Sequence, residues 1–436
     1  MPLRRILMIA EKFPPHATSG TARPYFFARH LPEFGYRPVV LTSPLLRGEA
    51  SDPALLRDLP DDVEIVRAVR PMAAARAAVA SEPWGRVPPA GDETTAGEVP
   101  KPPGISARVS RMRATAAWFA LWHLDWLPPA FVRGVATARR DGVELVWVTA
   151  PHMKNLVLGY ALSRRLRKPL IVDLRDPWTY GSLWRPVSPL AEKIERGWAE
   201  KILREASLIV FASPLTQQET EARFPELRGR CTTITNGYSK AEAAITPLRG
   251  GFAGKFLLRH TGALSARRTP DVLLRALRLV LERQPALRST LHLEFVGDPG
   301  GHEARLSDSG RAPCVSARGQ VSRAESLALM RGADVNVLLQ TVTAGTDVIA
   351  GKTFDYLAAE KPVLAAVDPA GGDAWLLRQF RGAVMTPCAN ADAVAGAILE
   401  LHALWTAGAL PAAVGDLAQY ERRHLSRRLA EELDRL

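Results

Sequence analysis

At 436 residues the chain exceeds what one ordinary hydrophobic core organises, and two or three domains are expected. Its 47% hydrophobic and 23% charged residues exclude a largely disordered protein. The net charge of +12 is scattered over arginine pairs such as Arg4-Arg5, Arg139-Arg140 and Arg164-Arg165, with no polybasic tail or Cys/His finger, so no nucleic-acid partner is expected.

Ile6 to Ala10 reads as a buried first strand, because Glu11-Lys12 cuts the apolar run too short for a secretory leader. Cys231, Cys314 and Cys388 are odd in number and far apart, giving neither a disulfide framework nor a metal-ligand spacing. Both features fit a reducing cytoplasm, and no metal site is expected. Tyr25 to Phe34 follows as a helix, Arg37 to Thr42 as a second strand and Val63 to Val69 as a third. Pro71 to Gly104, rich in Ala, Pro, Gly and acidic residues, reads as a loop insertion.

Trp118, Trp122 and Trp126 recur at helical spacing, with Arg108, Arg111 and Arg113 upstream. Such a stripe suits either a core face or a helix lying on an anionic membrane surface, so peripheral membrane contact stays open. Strands resume at Leu145 to Thr149, Leu170 to Asp173 and Leu208 to Ala212. Thr246 to Lys255, with Pro247 and three glycines, has linker composition.

The pattern then restarts. Strands are expected at Phe256 to Thr261, Leu291 to Val296, Val315 to Gly319, Val335 to Leu339 and Val363 to Val367, with a helix at Asp271 to Arg283. Short continuous apolar runs separated by helices imply α/β architecture: two doubly wound, Rossmann-like domains facing across a cleft. The expected division is residues 1–245, residues 246–415, and a tail at 416–436. That tail holds a charged helix, Ala418 to Leu436, able to pack back on the first domain.

Several segments carry chemistry. The first strand–helix turn, Glu11 to Gly20, has one glycine where a backbone can approach a phosphate, although many turns simply end in glycine. His152 lies just past a strand end, where a histidine either hydrogen-bonds a sugar or is a structural loop residue. Asp173, Arg175 and Asp176 form a charge cluster at another strand exit, of structural character.

Arg267-Arg268 precede a helix start, so their guanidiniums suit a diphosphate there or stand as a solvated pair. Asp347 and Asp355 sit eight positions apart, one on a loop and one in the first turns of a helix. Ionised carboxylates accept hydrogen bonds from sugar and ribose hydroxyls, and the amides near Ala350 and Gly351 between them suit a phosphate. Helix capping is the plain alternative for Asp355.

An ordered set of motifs resembles retaining glycosyltransferase family 4, which has the GT-B fold. The set is His260-Thr-Gly-Ala-Leu with Arg268, Phe295-Val-Gly297, Gly319 to Glu325, Gly332 to Leu339 and Lys352 to Val363, with Asp173 to Trp178 and Thr235-Asn-Gly237 in the first half. The resemblance implies a nucleotide-diphosphate sugar bound by the second domain, with a glycan, lipid-linked or small-molecule acceptor on the first, and no cofactor or metal.

It further implies that Arg268 contacts the diphosphate and that Gly351 and Lys352 lie in the donor-binding helix. Asp347 falls where the sugar hydroxyls are met, Asp355 where the ribose is met, Gly20 near the phosphates and His152 near the reacting sugar. The chain departs from the family in having aspartates for two glutamates, Ala263 for an arginine, and Ser19-Gly20 for a glycine pair. A sugar-nucleotide epimerase and a non-catalytic binder of sugar nucleotides or lipid surfaces are the competing readings.

Overall fold

The structure, a computed structural model, describes residues 3–18, 20–71, 125–150, 153–176, 189–265, 268–309, 314–340 and 347–436. The expected insertion after Pro71, together with Ser19, Trp118, Trp122, His152 and Arg267, lies outside them. The chain divides into two compact units, one of Met1–Ala212, Thr216–Ile234 and Ser426–Leu436, the other of Ser213–Leu215 and Thr235–Leu425.

In chain order the first unit contains β1 (Arg4–Ile9), α1 (Ala22–His30), β2 (Tyr36–Thr42), α2 (Ala54–Arg57), β3 (Glu64–Arg67), α3 (Leu127–Asp141) and β4 (Leu145–Thr149). These are followed by α4 (Met153–Leu166), β5 (Leu170–Leu174), α5 (Pro189–Glu205), β6 (Leu208–Phe211), α6 (Pro214–Arg223) and β7 (Cys231–Thr233). The strands form one parallel sheet in the order β3-β2-β1-β4-β5-β6-β7, which reverses direction between β1 and β4.

Every residue of β4, β5 and β6 is buried, because helices cover both faces of the sheet. Trp147 of β4 is fully buried, edge-on to Phe27 of α1 with 5.9 Å between ring centroids. Gly159 lets α4 settle onto β4, since a Cβ there would fall 2.7 Å from Val148.

The second unit contains α7 (Lys240–Ala243), β8 (Phe256–Thr261), α8 (Asp271–Arg283), β9 (Leu291–Val296), α9 (Glu303–Ser309), β10 (Val315–Arg318) and α10 (Arg323–Gly332). It continues with β11 (Val335–Leu339), α11 (Gly351–Ala358), β12 (Val363–Val367), α12 (Gly372–Leu377), β13 (Ala383–Pro387) and α13 (Ala391–Thr406). Its parallel sheet runs β10-β9-β8-β11-β12-β13 and reverses between β8 and β11. One apolar layer packs α8 and α13 on the sheet, and a second gathers α10, α11 and α12 around Leu338 and Ala365. The expected α/β class is what the two sheets form.

Four expectations need correction. The helix expected at Tyr25 to Phe34 stops at His30 and tightens into a 3₁₀ turn, Leu31–Phe34, because Pro32 cannot continue the α-helical bonding. The linker-like stretch 246–255 belongs to the second unit: Arg249 grips Asp334 at 2.8 and 3.0 Å, and the Leu248 amide donates to Ala328 O.

The last helix, α14, spans Arg422–Leu433 rather than beginning at Ala418. Ahead of it Glu421 is extended and bridges Tyr238, while the buried Tyr420 ring packs on Phe354 and Phe380. The end of α14 belongs to the first unit, where Tyr36 Oη donates to Asp434 at 2.6 Å and Arg428 to Thr233 O at 3.1 Å. Finally, β7 and β13 were not expected: both are sheet edges with half-exposed residues, so neither carries a continuous apolar run. No described helix is long and apolar enough to cross a membrane.

Candidate functional site

The reversal between β8 and β11 opens a crevice at the carboxyl ends of those strands, the usual place for a ligand in such a sheet. Tyr356 of α11 closes its floor. Its hydroxyl accepts from the Thr261 amide at 2.8 Å and donates to Thr261 O at 3.0 Å, and its ring is fully buried. Thr261 Oγ1 is buried there with no hydrogen-bond partner.

Gly262 follows with φ 127°, a conformation side chains rarely adopt. A Cβ at Gly262 would also lie 3.0 Å from Lys352 Nζ, so the backbone conformation calls for glycine and a side chain there would displace the lysine head. Lys352, in the first turn of α11, places Nζ 3.3 Å from His260 Nε2 and 3.4 Å from Thr261 O. Burial, reinforced by the neighbouring charge of Arg268, drives the Lys352 ammonium well below the ordinary lysine range, and Asp373 only partly opposes this.

Arg268 is partly buried at the turn before α8, with Nη1 donating to Ala263 O at 3.4 Å. Its charge bears on Lys352, His260, Tyr356 and Asp373, so it lies within electrostatic range of the residues around Thr261. Asp373 of α12 is fully buried and anchors the start of α11, where its Oδ1 accepts from the Ala350 amide at 3.0 Å and from Thr353 Oγ1 at 2.6 Å. Burial pushes the Asp373 carboxyl up, against the pull of those two donors.

Gly351 is exposed with open space where a Cβ would stand, so the backbone at the positive end of α11 is uncovered. The Arg268 guanidinium, the Lys352 side-chain nitrogen, a glycine turn and an open helix start lie together around Gly262. Chemically, such an arrangement suits an anion of phosphate type.

Asp347 is held through its backbone, with its carbonyl accepting from Ser213 Oγ and pressed against Gly372. Asp355 is 6% exposed, and both of its oxygens are engaged at 2.7 Å by the guanidinium of Arg323. Arg323 also donates to Glu242, which in turn accepts from Arg422 at 3.2 Å. The cavity beside this network, lined by Tyr238, Glu242, Leu327, Arg331 and Asp355, measures about 10 Å³, the size of a water molecule. Arg268, Gly351, Lys352, Asp347 and Asp355 are thus all in the second unit.

The first unit carries Gly20, where a Cβ would fall 2.8 Å from Arg175 Nη1. Asp173 does not share a cluster with Arg175 and Asp176. It is fully buried, gripped by Arg23 at 2.7–3.0 Å and by Thr149 Oγ1 at 2.8 Å, whereas Arg175 pairs with Asp176. At the β1/β4 reversal Glu11 receives Lys154 and Arg70, and Arg70 also reaches Asp125, all of them buried. Trp126, the described member of the tryptophan stripe, is fully buried and packs in the core.

Sequence reasoning missed Asp373, Arg323 and the role of the His260 ring. Gly371-Gly372-Asp373 reads only as a turn, and nothing in it announces a fully buried carboxylate.

No protein-family model matches the chain, and no curated protein sequence matches it. Solved structures do. HepE from Anabaena in complex with UDP is 18% identical with a TM-score of 0.61 over 100% of both chains. Sucrose-phosphate synthase from Thermosynechococcus elongatus is 15% identical with a TM-score of 0.59, over 99% of this chain and 94% of its own. The α,α-trehalose 6-phosphate synthase from Burkholderia multivorans is 14% identical with a TM-score of 0.55, over 100% of this chain and 94% of its own. At these identities the likeness defines the fold, and the chain has the two-unit α/β fold of the GT-B class.

Proposed function

We propose that the chain is a glycosyltransferase of family 4 type that moves a sugar from a nucleotide-diphosphate sugar to an acceptor, with retention and without a metal ion. The observation that carries this reading is the convergence of Arg268 and Lys352 on the Gly262 turn beside the open start of α11. As the bond from the anomeric carbon to the diphosphate stretches, charge builds on the departing phosphate oxygens. Fixed cations and helix amides aimed at those oxygens stabilise the transition state more than the ground state.

In this reading the departing phosphate receives the acceptor proton on the same face, and no protein nucleophile is required. Asp347 meets the sugar hydroxyls. Asp355, oriented by Arg323, uses its remaining lone pairs for the ribose. Gly20, near the phosphates, and His152, near the reacting sugar, come from the first unit, which also holds the acceptor, a glycan, a lipid-linked sugar or a small molecule.

HepE has been captured with UDP-glucose as well as UDP, so UDP-glucose is the first donor to try. The test is donor turnover by the purified chain with and without EDTA, with UDP release read in the presence of candidate acceptors. Turnover that survives EDTA supports the reading, and dependence on an added divalent cation refutes its metal-free part. A second reading, binding without transfer, is favoured by Ala263 standing where the family has an arginine. It predicts UDP-sugar binding with no turnover for any acceptor.

A further inference from the structure

His260 is fully buried on β8, with ring Nδ1 2.9 Å from the Val337 carbonyl of the adjacent strand. A carbonyl only accepts, so Nδ1 carries the proton and Nε2 presents a lone pair. Burial first, and then the charge of Lys352, hold the imidazole well below its ordinary range, which keeps it neutral. The lone pair meets Lys352 Nζ at 3.3 Å, and Thr261 O meets the same nitrogen at 3.4 Å. An ammonium has three donors. Two are directed to these protein acceptors, which leaves the third for a ligand at the Gly262 turn.

We propose that His260 is a positioning residue: its Nε2 lone pair aims the Lys352 ammonium at the incoming nucleoside diphosphate, so that binding of the diphosphate is coupled to proton uptake by Lys352. This inference rests on the donor-site reading above and deepens it. The titratable and charged groups that bear on Lys352 are His260 on β8, Arg268 before α8 and Asp373 on α12, while Tyr356 of α11 bonds the same Thr261 carbonyl that Lys352 meets. Among the charges around it Asp373 alone favours the charged lysine, while burial and Arg268 oppose it. A diphosphate dianion brings the missing counter-charge, and a proton from solvent completes the ammonium.

The test is calorimetric titration of the full chain with UDP over neutral to alkaline pH, in buffers of different ionisation enthalpy. Wild type is expected to take up a fraction of a proton per UDP, with affinity falling as pH rises at values below those of an ordinary lysine. His260→Phe keeps the ring bulk but has no lone pair, and it should weaken UDP about tenfold. His260→Gln can donate to Val337 O and accept from Lys352, so it should restore affinity and proton uptake.

UDP binding that is independent of buffer in wild type, or a folded His260→Phe with unchanged affinity, overturns the proposal while leaving the donor site standing. If His260→Phe fails to fold, the wild-type proton count and the His260→Gln titration still decide. Absence of binding by wild type to any nucleoside diphosphate overturns the donor-site reading, and this inference with it.

Discussion

The guanidinium of Arg323 and the carboxylate of Asp355 meet face to face, with two nitrogen–oxygen contacts of 2.7 Å. This pairing joins α10 to α11 in the middle of the second unit, and through Glu242 it reaches α7 and the start of α14. Removing the cation leaves a buried carboxylate without its partner. Arg323→Ala should therefore destabilise the second unit by about 2–3 kcal/mol, read as a lower denaturation midpoint in urea. Arg323→Lys should recover only part of the loss, because a point charge cannot make both contacts.

Arg268→Ala removes a cation whose charge bears on Lys352. With UDP-glucose or whichever donor turns over, kcat/KM should fall about 10²-fold or more, while the melting temperature hardly changes. Unchanged turnover would remove Arg268 from charge stabilisation.

Gly262→Ala forces a side chain into a left-handed turn and against Lys352 Nζ. Strain of about 1–3 kcal/mol is expected in chemical denaturation, together with a loss of UDP affinity larger than that of Gly351→Ala, whose Cβ would meet open space. Equal affinities for the two variants would contradict the crowded turn.

Glu49 provides a pH-dependent contribution to the first unit. Burial raises its carboxyl, but hydrogen bonds from His16, Lys12 and the Leu46 amide outweigh that and hold it well below the usual value of 4.5. A carboxyl depressed in the folded state stabilises fully above its unfolded value and loses that contribution as pH falls from about 4.5 through the folded value. Glu49→Gln should cost about 1 kcal/mol at neutral pH, and the gap to wild type should close in acid. Thermal melts from pH 7 to pH 3 check the sign.

Ligand binding gives a direct check on the second unit. UDP at about 100 times its dissociation constant should add about 2.7 kcal/mol to stability, seen as a rise in melting temperature that Lys352→Met diminishes.

Legibility from the sequence followed burial. Phe256 to Thr261, Leu291 to Val296, Val335 to Leu339 and Val363 to Val367 coincide with β8, β9, β11 and β12, strands buried along their whole length and mostly apolar, although buried polar residues such as Arg259, Glu294 and Asn336 interrupt them. The edge strand β7 is half-buried throughout and β13 mixes exposed and buried positions, so no such run marks them. Arg268 stood out because it precedes a helix start that follows an apolar strand, whereas Lys352 was marked by the family resemblance alone.

Asp373 and Arg323 did not stand out. What gives them importance is who meets them across the fold, at separations of 20 and 32 residues. Spacing along a chain carries no trace of such partners. His260 was visible as part of His-Thr-Gly, but its ring chemistry depends on the Val337 carbonyl 77 positions away.

The tail Ser426–Leu436 belongs to the unit that opens the chain, and it delivers the buried Leu429 and Leu433 and the bonds to Tyr36 and Thr233. During synthesis these residues leave the ribosome after the entire second unit. The seven strands of the first sheet are all made by Thr233, but the face that the end of α14 covers stays open until residues 426–436 emerge, so the later-made unit is the first that can finish folding. Nascent chains halted before residue 426 should resist protease in the second unit and remain cleavable in the first.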